Sequence, residues 1–218
     1  MKTTHIKICC ISSIDEAKLA INAGASALGL VGHMPSGPGV IKDELIAEIA
    51  AFVPSHIETF LLTSETKVVD IIQHHSKVNT TTIQLVDALT EGTHQQIKQA
   101  LPTIKIVQVL HVLNENSIDE ALEVSKHVDT ILLDSGNPNL TTKELGGTGR
   151  IHNWEISKKI VEKVKIPVFL AGGLKPENAL TAIQKVNPYG LDLCSGVRTN
   201  GNLDQHKLSA FFKATHTN

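Results

Sequence analysis

Residues 5–24 read HIKICCISSIDEAKLAINAG, and this stretch decides the fold. HIKIC is a short β-rich run. Ser13-Ile14-Asp15-Glu16 has capping-box spacing, a serine followed three residues later by a glutamate, and opens the helical pattern DEAKLAINAG. Gly24 suits the left-handed residue that ends such a helix. Strand, cap, helix and stop make one β–α unit.

The same rhythm continues to the end of the chain. SALGLV, IETFLL, TTIQLV, IKIVQVLHV, DTILLD, PVFLAGG and YGLDLCSG read as strands. Between and after them, KDELIAEIAAFV, TKVVDIIQHH, THQQIKQAL, DEALEVSKHV, NWEISKKIVEKV, KPENALTAIQKV and DQHKLSAFFKA read as helices. Pro54 and Pro102 stop two of them, and Pro176 stands near the first turn of another. Ser117 to Glu120 repeats the capping-box spacing. About eight β–α units in a row close a (β/α)8 TIM barrel. Strand runs this apolar suit parallel strands buried on both faces. A doubly wound open sheet is the alternative, but no GxGxxG follows the first strand. No linker rich in Gly, Pro or Ser divides the chain, so residues 1–218 are expected to form a single domain.

Composition narrows the function. The 218 residues are 41% hydrophobic and 19% charged, with a formal net charge of −2. That balance suits a soluble protein with a sizeable core and supplies no basic field for nucleic acid. Aromatic residues are only 3%, which weakens base stacking as well. No apolar run is long enough to span a bilayer, so no membrane partner is expected. Three cysteines, two of them adjacent at Cys9 and Cys10, do not form a disulfide framework. With no signal sequence, they point to the cytoplasm. The 11 histidines show no metal spacing and read as mostly surface residues.

In a barrel, chemistry gathers where the strands end. Those ends carry Cys9 and Cys10, Val31 to Met34, Gln84, His111, Asp134, Gly172-Gly173 and Ser195-Gly196. Strand alternation would send only one of the two cysteines toward the site. The glycines after the seventh and eighth strands either cradle a phosphate with backbone N–H groups or only permit tight turns. Asp134 is placed for general acid or base work, or for a loop hydrogen bond. Asp192 lies inside its strand, where it is structural or orients a site residue.

These residues resemble the phosphoribosylanthranilate isomerase family of tryptophan biosynthesis. The resemblance rests on IKICCISSIDEAKLAINAGASALGLV, ILLDSG, ELGGTGRIHNW, VFLAGGLKPENALTAI and GLDLCSGV, in order along almost the whole chain. It implies a (β/α)8 barrel and an Amadori rearrangement with no metal or cofactor. It implies Cys9 as general base and Asp134 as general acid. Gly172, Gly173, Ser195 and Gly196 would hold the phosphate, and Gln84 and Asp192 would line the substrate site. Cys10 stands where the family usually has glycine and reads as a packed bystander. Pro38 stands about where the family's arginine grips the anthranilate carboxylate. The family's strand-five lysine appears as Gln108, and Arg198 replaces a usual glutamate. Arg198 is therefore either the substitute grip or a solvated rim charge. The implied partner is a small phosphorylated sugar-amine, the implied assembly a monomer or homodimer. The alternatives are a relative acting on another phosphoribosyl amine and a non-catalytic barrel that binds a phosphorylated ligand.

Overall fold

Each strand of the chain is apolar on both faces, and the fold provides two cores to receive them. In the computed structural model, which describes residues 4–216, eight parallel strands close into a barrel in chain order. They are β1 (His5–Ile8), β2 (Ala27–Val31), β3 (Glu58–Thr63), β4 (Thr82–Leu85), β5 (Lys105–His111), β6 (Thr130–Asp134), β7 (Val168–Leu170) and β8 (Gly190–Leu193). The helices between them are α1 (Ile14–Ala23), α2 (Asp43–Phe52), α3 (Val68–Val78), α4 (His94–Ala100), α5 (Asn116–Val124), α6 (Trp154–Lys163) and α7 (Pro176–Val186), and α8 (Gln205–His216) follows β8. Alternate strand residues such as Ile6, Ile8, Leu61 and Ile106 enter the larger core against the helices. Their neighbours Cys9, Phe60, Val107 and Phe169 fill the barrel interior. The expected barrel is the one observed.

Local signals account for the helix ends. Ser13 caps α1 by accepting the Glu16 N–H at 3.1 Å, and Gly24 ends it at φ 108°. The Glu16 carboxylate does not return to the Ser13 N–H. It accepts instead from the N–H groups of Ser12 and Leu203. The second capping-box reading fails altogether. Ser117 lies inside α5, whose cap position is Glu115, and its hydroxyl accepts the Leu113 N–H at 3.3 Å. The expectation of mostly surface histidines has three exceptions among the described residues, because His74, His75 and His111 are buried. On α3, His74 bonds Thr63 and Asp43, while His75 bonds the Thr80 carbonyl.

The barrel closes where β8 pairs with β1, with Lys7 opposite Asp192 in the register. Both side chains point inward. Lys7 Nζ donates to Asp192 Oδ1 at 2.8 Å, and the lysine is 0% exposed. The same ammonium lies 5.1 Å from the Phe60 ring centroid, and Phe169 packs edge-on to Phe60. An ion pair on an aromatic floor thus fills the interior beneath the C-terminal rim.

A buried pair is costly to break from one side, because the remaining charge loses its partner. Lys7→Met is expected to lower unfolding free energy by about 3–5 kcal/mol in urea titrations. The double change Lys7→Met with Asp192→Leu is expected to recover most of that loss, since no buried charge is left alone. Equal losses in the single and double variants would contradict this account.

Candidate active site

The chain emerges from β1 at Cys9, and the strand geometry ends there. Cys10 has φ 62°, a left-handed conformation that glycine adopts at least cost. This turn breaks the alternation expected of the two cysteines. Both line the same cavity at the C-terminal mouth of the barrel. The cavity also takes in Gln84, Asp134, Gly172, Gly173, Asp192 and Ser195, so most of the expected site residues come together.

Cys9 sits on an enabling gap. A Cβ placed on Gly29 would fall 2.8 Å from Cys9 Sγ and 3.0 Å from Lys7 Nζ, so the glycine lets thiol and ammonium converge. Hydrogen bonding from the Cys10 thiol, helped by the Lys7 charge and opposed by burial, holds Cys9 below the ordinary thiol range. Cys10 is pushed the other way by its hydrogen bonds to Cys194 and Cys9 and by burial. The environments of the adjacent pair therefore pull apart, Cys9 toward the thiolate and Cys10 toward the thiol.

Asp134 ends β6 on another wall of the cavity and is buried. Burial raises its carboxyl above the ordinary range, against the Ser135 N–H that donates to Oδ1 at 2.7 Å. A Cβ on Gly146 would reach within 2.9 Å of Asp134 Oδ2, so the loop after β6 covers the carboxyl closely. A thiol and a carboxyl thus share one cavity, and their environments drive them toward opposite protonation states, Cys9 toward loss of its proton and Asp134 toward keeping it.

The other wall is made of glycines and hydroxyls. Gly172 and Gly173 follow β7 in left-handed conformation, at φ 83° and 61°. A Cβ on Gly173 would come within 3.0 Å of the Arg150 carbonyl, so the loop after β7 packs directly on the loop after β6. Ser195 opens a short 3-10 turn, Ser195–Val197, after β8. Gly196 is not on the cavity wall. It allows the β8 loop to touch the Leu174 carbonyl, which a Cβ would meet at 1.9 Å. Gln84 is buried on the cavity wall, and among the described residues its Oε1 has no hydrogen-bond partner.

Two expectations change. Arg198 does not point into the cavity. Its guanidinium grips Glu16 with both terminal nitrogens, at 2.8 and 3.0 Å, and donates to the carbonyls of Cys9 and Cys10. Its side chain is 8% exposed, so it is neither a substrate grip nor a solvated charge. It clamps the turn that presents the cysteines. Burial pushes Glu16 up, but Arg198 and the backbone N–H groups of Leu203 and Ser12 outweigh it and hold the carboxyl low. His111 likewise stays off this cavity, with Nε2 3.4 Å from the Val86 carbonyl.

Sequence reading missed Lys7 and the glycine loop Gly146-Gly147-Thr148-Gly149, all but Lys7 on the cavity wall. A lysine amid an apolar strand and a GGTG run after a rim aspartate were the available signals. Pro38, in the β2–α2 loop, packs against Gly147, where a Cβ would meet its ring at 2.5 Å. Ser36 Oγ donates to the Lys143 carbonyl at 2.6 Å. The loops after β2 and β6 therefore meet over the site.

A closed eight-stranded barrel with its cavity at the C-terminal rim places the chain among the (β/α)8 barrels. The family described as N-(5'phosphoribosyl)anthranilate (PRA) isomerase matches residues 6–214, and the chain belongs to that family. N-(5'-phosphoribosyl)anthranilate isomerase 2 of Methanosarcina mazei is 35% identical, over 95% of this chain and 92% of its own. The Nostoc punctiforme isomerase is 32% identical, over 96% and 97%. Among solved structures, the Thermotoga maritima phosphoribosyl anthranilate isomerase superposes with a TM-score of 0.80 at 25% identity, covering 97% of this chain and 98% of its own. A phosphoribosyl anthranilate isomerase in complex with reduced 1-(o-carboxyphenylamino)-1-deoxyribulose 5-phosphate superposes with a TM-score of 0.77 at 23% identity, with the same coverage.

The division between the cysteines is directly measurable. Iodoacetamide is expected to alkylate Cys9 with a pH midpoint below the ordinary thiol value of about 8.5, leaving Cys10 unmodified over the same range. Peptide mass mapping across pH distinguishes the two sites. Faster labelling of Cys10 than of Cys9 would reverse the assignment.

Proposed function

We propose that this chain catalyses the isomerisation of N-(5'-phosphoribosyl)anthranilate to 1-(o-carboxyphenylamino)-1-deoxyribulose 5-phosphate, with residues 1–218 working as one domain. One observation carries the reading: Cys9 and Asp134 share a cavity, the first poised as a base and the second as an acid. Family membership supplies the substrate.

The steps follow from those two groups. Asp134 gives its proton to the ring oxygen of the ribose, and the C1′–O bond breaks to leave a Schiff base. The Cys9 thiolate removes the proton from C2′, and the electron pair flows to the nitrogen, giving an enolamine. Tautomerisation moves the double bond to the C2′ oxygen and yields the ketone. The electrons shift only within the substrate, so the rearrangement needs no external acceptor. Gly172, Gly173 and Ser195 are proposed to receive the phosphate, with Thr148 and Gly149 opposite them. Gln84 Oε1 is proposed to accept a sugar hydroxyl. The cytoplasm is the proposed compartment, and a monomer or homodimer the proposed assembly. A structural relative is described as a dimeric phosphoribosylantranilate isomerase from Thermotoga maritima in monomer form.

The β2–α2 loop favours a second reading. Pro38 offers no charge, Arg198 is committed to Glu16, and Arg150 is paired with Glu144. An amine part without a carboxylate would suit this end of the cavity. Losing one charge-assisted carboxylate contact costs on the order of 1.5–3 kcal/mol. With phosphoribosylanthranilate, a kcat/KM of about 10⁶ M⁻¹s⁻¹ or more, ordinary for an efficient enzyme, removes that second reading.

Cys9→Ala and Asp134→Asn are each expected to lower kcat by about 10²–10⁴-fold, with folding intact. Loss of substrate fluorescence in steady state provides the measurement. The sign of the pH profile follows from the two groups: rising pH creates the Cys9 thiolate and removes the Asp134 proton. The rate is therefore expected to climb through a midpoint below the ordinary thiol range and fall through one above the ordinary carboxylic acid range. An amide at position 134 that turns over near the wild-type rate places the acid elsewhere.

A further inference from the structure

Cys10 and Cys194 are 184 residues apart in sequence, yet barrel closure sets their sulfurs 2.6 Å apart on the wall of the active-site cavity. That is about half an ångström beyond a disulfide bond. Neither thiol is used as acid or base in the mechanism above. Cys10 is held at its position by the left-handed turn, by its contact with the Pro38 carbonyl and by Arg198 gripping its own carbonyl. Cys194 directly follows β8 and is partly exposed, whereas Cys9 and Cys10 are buried. Of the three thiols, Cys194 is the one solvent reaches most readily.

We propose that Cys10 and Cys194 are an oxidation site, forming a disulfide with peroxide-class oxidants and thereby removing the thiol that supports Cys9 as base. The chemistry balances. The Cys194 sulfur attacks one oxygen of hydrogen peroxide, the O–O bond breaks, and a sulfenic acid and one water result. The Cys10 sulfur then attacks the sulfenic sulfur, the S–O bond breaks, and a second water leaves. Two thiols lose two electrons in total, and the peroxide accepts them. A dithiol reductant reverses the step by thiol–disulfide exchange.

The consequence for Cys9 follows from its hydrogen bond. The neighbouring Cys10 thiol favours the ionised form of Cys9, and a disulfide has no S–H to offer it. Cys9 keeps the Lys7 charge and its burial, but it loses its largest stabilising contact. The thiolate becomes scarcer at neutral pH, while the Gly172-Gly173 part of the phosphate end lies on the β7 loop and carries neither cysteine. The expected effect on turnover rests on the isomerase reading. The cross-link and the change in Cys9 do not.

The test treats the reduced protein with stoichiometric hydrogen peroxide and maps peptides without reduction. The expected product links Cys10 to Cys194, and the free-thiol count falls from three to one. Iodoacetamide labelling of the remaining Cys9 is expected to slow at pH 7 and its pH midpoint to rise. Turnover is expected to fall about tenfold or more, as for a base held in the wrong protonation state, and to return with dithiothreitol. Cys194→Ser is expected to keep most of its own untreated rate under the same oxidant. A bridge that includes Cys9, oxidation of Cys9 to sulfinic acid with Cys10 and Cys194 still free, or a Cys10–Cys194 bridge with unchanged Cys9 labelling would each overturn the inference. If the reduced protein does not turn over phosphoribosylanthranilate, the isomerase reading fails, while mapping and labelling still decide this one.

Discussion

The ion pair between Lys7 and Asp192 is the constraint on which the rest of the structure depends. It spans the seam where the last strand joins the first, and its register is the register of barrel closure. A one-residue slip of β8 against β1 would turn Asp192 toward the helices and leave Lys7 alone in the interior. Buried ion pairs contribute little net stability over apolar packing, but they penalise the wrong arrangement heavily. The same two charges reach the chemistry. Lys7 draws Cys9 toward the thiolate, and Asp192 opposes ionisation of Asp134. One pair thus closes the barrel and adds to the opposed tendencies that Cys10 gives Cys9 and burial gives Asp134.

The repeating units of the fold were legible because strand runs, caps and stops lie close together in sequence. Ser13, Gly24 and Pro176 all act as their local chemistry dictates. Ser117 misled because its serine–glutamate spacing is also compatible with the interior of a first turn, and only the tertiary path of the chain chose between them. His74 and His75 misled for a related reason. Each found a buried partner on a different side of α3, which no count of histidines reveals.

The site was legible at the strand ends and obscure in the loops. Cys9, Asp134, Gly173 and Ser195 could be placed by barrel topology alone, since a strand end has only one place to go. Arg198 could not, because its direction depends on Glu16, a residue 182 positions away whose carboxylate had looked like part of a local cap. Two readings, the return half of the capping box and the grip, failed together because Glu16 and Arg198 are engaged with each other. The two cysteines were misjudged because strand alternation was extended one residue past the strand. The left-handed turn at Cys10 ends it first.

That turn has a consequence for how the sequence can drift. A side chain in the left-handed region costs about 1–2 kcal/mol that glycine would not incur. Cysteine and glycine codons differ by a single base, so the change that relieves the strain is one mutation away. Folding stability alone therefore favours glycine at position 10. A chain that keeps the thiol there gives up that stability, so whatever the thiol contributes must outweigh about 1–2 kcal/mol of backbone strain.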